Sequence, residues 1–204
     1  MKTKNRNPAL LLQGKKVNPI IEFYFELNHL KQLFRQGWLL KGIPENKCES
    51  VADHLFGTSI LALIIVDSYF ESLDMIKLLK MVLIHELGEI YIGDVTPHDH
   101  ISKETKHEWE YKAVTEIFSK IPNGKNYIAL WKEYEEGVTP ESQLIRQIDY
   151  MEMAFQAVIY EHQYNKRNNE LQEFFNFNDR KLKNKTLINL YKEVRKLRNT
   201  TNQK

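Results

Sequence analysis

Apolar residues recur along this chain every three or four positions, the spacing that places them on one face of an α-helix. Asn18-Pro19 is typical of a helix start, since asparagine caps well and proline is tolerated at the first helical position. No stretch alternates apolar and polar residues over the length of a strand. The pattern predicts an all-α protein with helices over about residues 18–34, 50–70, 75–91, 102–121, 125–136, 140–164, near 171, and 185–198.

Neither an internal repeat nor a low-complexity linker divides the 204 residues, and this length fits one domain. We therefore expect an N-terminal tail over residues 1–17 and a single helical-bundle domain over residues 18–199. The longest apolar stretch, residues 60–66, is far shorter than the ~20 residues that span a bilayer. We expect no membrane association.

Charge and cysteine content narrow the function classes. The 29 basic and 27 acidic residues nearly cancel, which argues against a dedicated nucleic-acid surface. The single Cys48 excludes an intramolecular disulfide and fits the cytoplasm. The expected protein is soluble and cytoplasmic.

The polar chemistry is concentrated in LIHELGEIYIGDVTPHDH, residues 83–100, which holds three histidines and four carboxylates directly after an apolar run. On a continuous helix, His85 and Glu89 would be at i and i+4 and share a face, with Glu86 about 100° around from His85. Taken alone, each histidine is more typical of a packed, hydrogen-bonded side chain. HELGE is not the zinc-protease HExxH helix, because its fifth position is Glu89.

Two distant residues complete a candidate metal site. His54 lies at the start of the second predicted helix, and Asp149 is a carboxylate on the apolar face of the sixth. A buried carboxylate is costly without a cation, so Asp149 requires either a metal or an ion pair, for example with Arg146. Two imidazoles and two carboxylates suit Mn, Co, Fe, Ni or Zn.

The order His54, His85-Glu86, Asp149 is similar to the H…HD…D pattern of the HD-domain metal-dependent phosphohydrolases. The segments FRQGW, ESVADHLFGTSILAL, HELGEIYIGDVTPHDHISKETKH and LWKEYEEGVTPESQLIRQIDYMEM resemble the 5′-deoxynucleotidase, or oxetanocin-like, branch over about residues 30–198. The resemblance implies an all-α HD domain, a homodimer and a divalent metal (Co, Mn, Zn, Ni, Fe or Mg). It implies hydrolysis of deoxyribonucleoside 5′-monophosphates to deoxynucleoside and phosphate.

The resemblance also assigns roles to residues. Glu89 matches the catalytic glutamate and Asp94 the aspartate that follows it, and some relatives bind a second ion near this pair. Arg35 and Trp38 match the residues that hold the substrate. Lys103 and Lys106 lie in SKETKH, where a phosphate contact is open, although lysines in a first helical turn are usually solvated. The metal ligands implied are His54, His85, Glu86 and Asp149.

One position departs from the family pattern, because Glu86 stands where the superfamily has aspartate. The longer side chain retains the carboxylate and leads us to expect altered metal affinity or preference. Three alternatives stay open: an HD-type hydrolase of nucleoside triphosphates or cyclic nucleotides, a catalytically weak nucleotide-binding regulator, and a helical scaffold whose polar cluster is structural.

Overall fold

The computed structural model describes residues 1–164 and 170–201, and within these residues there is no strand, only two isolated bridges. The prediction of an all-α fold is confirmed. Short 3₁₀ turns occupy Pro8–Leu12, Asn28–Lys31 and Pro97–Asp99. The helices are α1 (Pro19–Leu27), α2 (Gln36–Leu40), α3 (Val51–Tyr69), α4 (Met75–Ile84), α5 (Glu89–Ile92), α6 (Lys103–Ser119), α7 (Gly124–Glu136), α8 (Pro140–Tyr164), α9 (Gln172–Lys181) and α10 (Lys185–Thr201).

Polar side chains cap the starts of α1, α3 and α6. The Asn18 side chain accepts a hydrogen bond from the backbone N–H of Ile20, and Ser102 caps α6 by accepting from Thr105 N–H. Ser50 and Asp53 form a reciprocal box at the start of α3, in which each side chain accepts from the other's backbone N–H, at 3.2 and 2.8 Å. The predicted bounds of α3, α6, α7, α8 and α10 hold to within a few residues.

The first predicted helix was too long. α1 ends at Leu27, a 3₁₀ turn follows, and α2 occupies a stretch predicted as a loop. The backbone after this turn bonds to the chain before α3: Val51 N–H donates to Leu33 O at 3.0 Å and Arg35 N–H to Glu49 O at 3.1 Å. These long-range bonds replace the helical ones that local periodicity indicated.

The third predicted helix is interrupted where the candidate chemistry lies. α4 ends at Ile84, residues 85–88 form turns, and α5 begins at Glu89. Hydrogen bonds here join i to i−3, as from Glu89 N–H to Glu86 O at 3.0 Å. The continuous helical face predicted for His85 and Glu89 was therefore wrong.

Backbone contacts divide the chain into two compact units. The first unit contains residues 1–56 and 83–136, and the second contains residues 57–82 and the described part of 137–204. The expected boundaries, a tail over residues 1–17 and one domain over 18–199, stay predictions. The apolar core of the first unit comprises Leu30, Leu33, Val51, Leu55, Ile84, Leu87, Ile90, Val114, Ile117, Phe118 and Trp131.

In the first unit, the N-terminal residues lie along the segment that leads into α2. Lys4 N–H donates to Gln32 O at 2.6 Å. The Gln36 side chain bonds both Lys2 N–H and Lys2 O, at 3.1 and 2.8 Å. The Lys2 ammonium lies 2.5 Å from Glu45. Residues 1–4 are thus attached next to Arg35.

In the second unit, α8 packs against α9 and α10. A buried ion pair joins α8 to α10, in which the Arg198 guanidinium donates to both oxygens of Glu161, at 2.6 and 2.7 Å. The same guanidinium bonds Gln172 and lies 3.8 Å from the centre of the Phe175 ring. This bidentate, stacked arrangement is one that arginine forms and lysine does not.

Helix α3 has the length and composition of a membrane-crossing helix, with a mean hydropathy of 1.5 over its most apolar 18-residue window. A core helix meets the same criterion, and 44% of this window is buried within the protein. The expectation of no membrane association stays a prediction.

Candidate metal and substrate site

The two predicted histidine ligands and Glu86 lie together in the first unit. The Nε2 atoms of His54 and His85 lie 4.0 and 3.8 Å from Glu86 Oε1, and one ligand-capable atom of each of the three residues lies within 4.8 Å of the others. Both histidines are buried. Their rings meet edge to face at 6.0 Å.

This spacing fits a divalent ion. A zinc-like ion lies about 2.0–2.2 Å from each donor, so two donors that share it are at most ~4.4 Å apart. Both measured Nε2–Oε1 distances fall within that limit. The longer Glu86 side chain therefore does not carry its carboxylate past the histidines, and the donor set of imidazole nitrogen and carboxylate oxygen suits a divalent transition metal.

Helix α7 holds the His85 backbone in place. The Trp131 indole N–H donates to His85 O at 3.1 Å, and this hydrogen bond is buried. The Tyr134 ring packs on the His85 imidazole with a centroid distance of 5.0 Å. Because the turn at residues 85–88 leaves carbonyl groups outside the α-helical pattern, the Trp131 bond satisfies one that would otherwise be costly to bury.

Glu89 is fully buried, and its Oε2 has no hydrogen-bond partner among the described residues. Burial, together with the negative charges of Glu86 and Asp94, raises the pKa of Glu89 well above its ordinary value; the positive charges of Arg35 and Lys106 oppose this rise. The Glu89 carboxyl therefore binds a proton more tightly than an ordinary glutamate does. This environment suits a group that transfers a proton.

Arg35 and Asp94 form a buried pair that reaches Glu86. Arg35 Nη1 donates to Asp94 Oδ1 at 2.9 Å and lies 3.6 Å from Glu86 Oε1. The other Asp94 oxygen accepts from the backbone N–H of Gln36. Burial alone would lower the pKa of Arg35, but Asp94, Glu86 and Glu89 raise it well above its ordinary value. The guanidinium is thus a fixed positive charge beside the candidate ligands.

Trp38 lies in the core. Its side chain is buried, and its indole N–H donates to Glu49 Oε1 at 2.6 Å. Core packing was the alternative to a substrate contact for this residue. The contact with the substrate stays a prediction.

Asp149 belongs to the second unit, on α8. It is buried, and its neighbours along the helix Ile145, Ile148 and Met151 are fully buried, as the sequence pattern predicted. Its part in the metal site stays a prediction.

The sequence reasoning missed several residues that support this site. Besides Trp131 and Tyr134, these include Glu110 on α6, and the sequence did not show that Lys106 pairs with it, with Lys106 Nζ 3.3 Å from Glu110 Oε1. The pKa of Glu110 is raised to about 7, chiefly by burial and also by the charges of Glu86 and Glu135, while Lys106 opposes this rise. The i, i+4 spacing of the pair was visible, but such pairs are usually solvated.

Comparison with known proteins identifies the family. Residues 27–188 match the family described as HD domain. The chain belongs to the HD domain family. This HD-domain chain is 37% identical over 164 residues to 5′-deoxynucleotidase HDDC2 of Dictyostelium discoideum, covering 76% of this chain and 85% of that one. It is 34% identical over 177 residues to the protein of the same name from Danio rerio, covering 86% of each.

A solved structure has the same fold. A conserved hypothetical protein from Pyrococcus furiosus superposes with a TM-score of 0.72 at 32% identity, covering 86% of this chain and 99% of that one. The HD domain implies a divalent metal, in agreement with the cluster of histidine and carboxylate donors.

Proposed function

We propose that this chain is a metal-dependent 5′-deoxynucleotidase, which converts deoxyribonucleoside 5′-monophosphates to deoxynucleoside and phosphate. The observation that carries the proposal is the group of the buried His54 and His85 with the half-buried Glu86, whose donor atoms have the spacing of a divalent-ion site. It is supported by relatives named 5′-deoxynucleotidase that match most of the chain.

The proposed ligands are His54, His85, Glu86 and, by the family resemblance, Asp149. Co, Mn, Zn, Ni, Fe and Mg are the proposed ions, and Glu89 with Asp94 is the proposed place for a second one. When bound, a divalent ion supplies Lewis-acid polarisation of the phosphoryl group.

The protein's own groups supply charge and a proton. Arg35 presents a permanent positive charge next to Glu86, which suits a phosphate dianion and the negative charge that develops on its oxygens during displacement. Its bond to Asp94 holds the guanidinium in one orientation. Glu89 is the proposed proton-transfer residue, because it is buried within a few residues of the ligands and its raised pKa favours a proton-carrying form.

We propose that close packing of the protein around the substrate selects deoxyribose over ribose. Trp38 is the residue proposed for this packing, from the family resemblance. A homodimer, a cytoplasmic location and the absence of a dedicated nucleic-acid surface also stay predictions.

The test is phosphate release from dAMP and AMP by metal-stripped protein that is supplied with Co, Mn, Mg or Zn in turn. We expect metal-dependent release that favours dAMP and is lost in Glu89→Ala. Retained nucleotide binding without release under any metal would overturn the proposal and favour the regulatory alternative. Faster hydrolysis of a nucleoside triphosphate or a cyclic nucleotide, measured by the loss of that substrate, would favour another HD-type hydrolase.

A further inference from the structure

Two lysines one turn apart at the start of α6 have different surroundings. Lys103 is exposed, whereas Lys106 is half-buried. The Lys106 ammonium lies 3.3 Å from Glu110 Oε1, one turn further along the helix, and the Glu110 side chain is only 13% exposed. Holding Lys106 in this position carries an ordering cost that a solvated lysine does not have, so its position requires an explanation.

The Lys106–Glu110 pair lies against the turn that carries the site. A β-carbon placed on Gly88 would be 3.0 Å from Glu110 Cβ and 3.1 Å from its Cα. The backbone of α6 at Glu110 therefore touches Gly88, the residue directly before Glu89 and two after Glu86. This close approach places Glu110 next to the turn that carries Glu86, a proposed metal ligand, and Glu89, the proposed proton-transfer group.

The carboxyl groups around this turn favour a second cation besides Arg35. Glu86, Glu89 and Asp94 are three carboxyl groups, and Arg35 is already bonded to Asp94. Burial alone would lower the pKa of Lys106, but Glu110, Glu86 and Glu89 raise it above its ordinary value, so the ammonium is charged at neutral pH. A phosphate monoester brings about two negative charges, which these carboxyl groups would repel without added positive charge.

We infer that Lys106 is a phosphate-binding residue of this site, held against the Gly88 turn by Glu110 and acting together with Arg35. This inference rests on the proposed function. The flexible lysine stem lets the ammonium move from Glu110 to a phosphate oxygen, whereas the guanidinium of Arg35 is fixed by Asp94.

The test compares Lys106→Met with Lys103→Met, a matched control that removes an exposed lysine one turn earlier on the same helix. Inorganic phosphate and deoxyadenosine are titrated separately into the cobalt-loaded protein by calorimetry. We expect Lys106→Met to weaken phosphate binding about tenfold or more, the loss of one charge-assisted contact, with deoxyadenosine binding unchanged. Lys103→Met should bind both as the wild type does, and Lys106→Arg should retain most of the phosphate affinity.

Equal phosphate affinity in Lys106→Met and Lys103→Met would overturn the inference, as would an equal loss of deoxyadenosine binding, which would indicate a structural role. If Lys106→Met fails to fold by circular dichroism, Lys106→Gln keeps a hydrogen-bond donor toward Glu110 and takes its place, with the same expected result. A wild type that binds phosphate through Lys106 but does not hydrolyse dAMP would contradict the proposed function and leave this inference supported.

Discussion

Replacement of Gly88 by alanine tests how closely α6 approaches the ligand-bearing turn. The backbone at Gly88 has φ −56° and ψ −32°, which alanine adopts without strain, so the backbone effect alone would stabilise the protein by about 0.4–1 kcal/mol. The new β-carbon, however, would lie 3.0–3.1 Å from three atoms of Glu110, including its Cα. Ordinary contact begins near 3.4 Å, so the α6 backbone must move by a few tenths of an ångström.

Such overpacking costs typically about 1–3 kcal/mol. After the backbone gain is subtracted, we expect Gly88→Ala to lower the free energy of unfolding by about 1–2 kcal/mol and Tm by about 2–8 °C for a chain of this size. The assay is urea and thermal unfolding of the metal-free protein. Gly37→Ala is the matched control, because a β-carbon on this residue of helix α2 would have nothing within 4 Å. If Gly88→Ala were as stable as Gly37→Ala, the close contact would be refuted.

Three further predictions concern the surroundings of the site. The pKa of Glu110 is about 7 in the folded protein instead of the ordinary 4.5, so the folded state holds this proton more tightly than the unfolded state does. As pH rises from 4.5 to 7, the free energy of unfolding of the wild type should therefore fall by about 3 kcal/mol relative to that of Glu110→Gln. If urea unfolding without metal gave the same pH dependence of this free energy for both proteins, the prediction would be contradicted. Trp131→Phe removes the donor to a buried carbonyl and should cost about 1–3 kcal/mol of unfolding free energy, whereas the exposed Trp109→Phe should change it by less than about 0.5 kcal/mol. Cobalt should raise the Tm of the wild type and of Glu86→Asp but not that of Glu86→Ala, and an equal rise in all three would exclude Glu86 as a ligand.

The sequence was sufficient for most helices because their signals are local. Pro140 opens α8 and the Ser50–Asp53 box opens α3, and each depends on residues within one turn. The buried setting of Asp149 also followed from the apolar residues at helical spacing around it.

The interruption at residues 85–88 could not be predicted in this way, because its cause lies elsewhere in the chain. Glycine at position 88 weakens a helix only modestly, and what it permits is the approach of Glu110 on α6. The same limit applies to Arg35 and Asp94, whose side chains bond across 59 positions of sequence. The family resemblance identified Arg35 and Asp94 as site residues, but only the tertiary structure shows that their side chains are in contact.

The effect of Glu86 was also beyond the sequence. The extra methylene left open where the carboxylate would lie, and in the structure its Oε1 lies within 4.0 Å of both histidine nitrogens.

The most direct test of the account is the rate of phosphate release from dAMP by metal-stripped protein as cobalt is added. We expect no release without cobalt, a rise in rate that saturates with bound metal, and no rise in His54→Ala. Release that is unchanged by removal of the metal, or no release at any cobalt concentration, would contradict the assignment of this chain as a metal-dependent 5′-deoxynucleotidase.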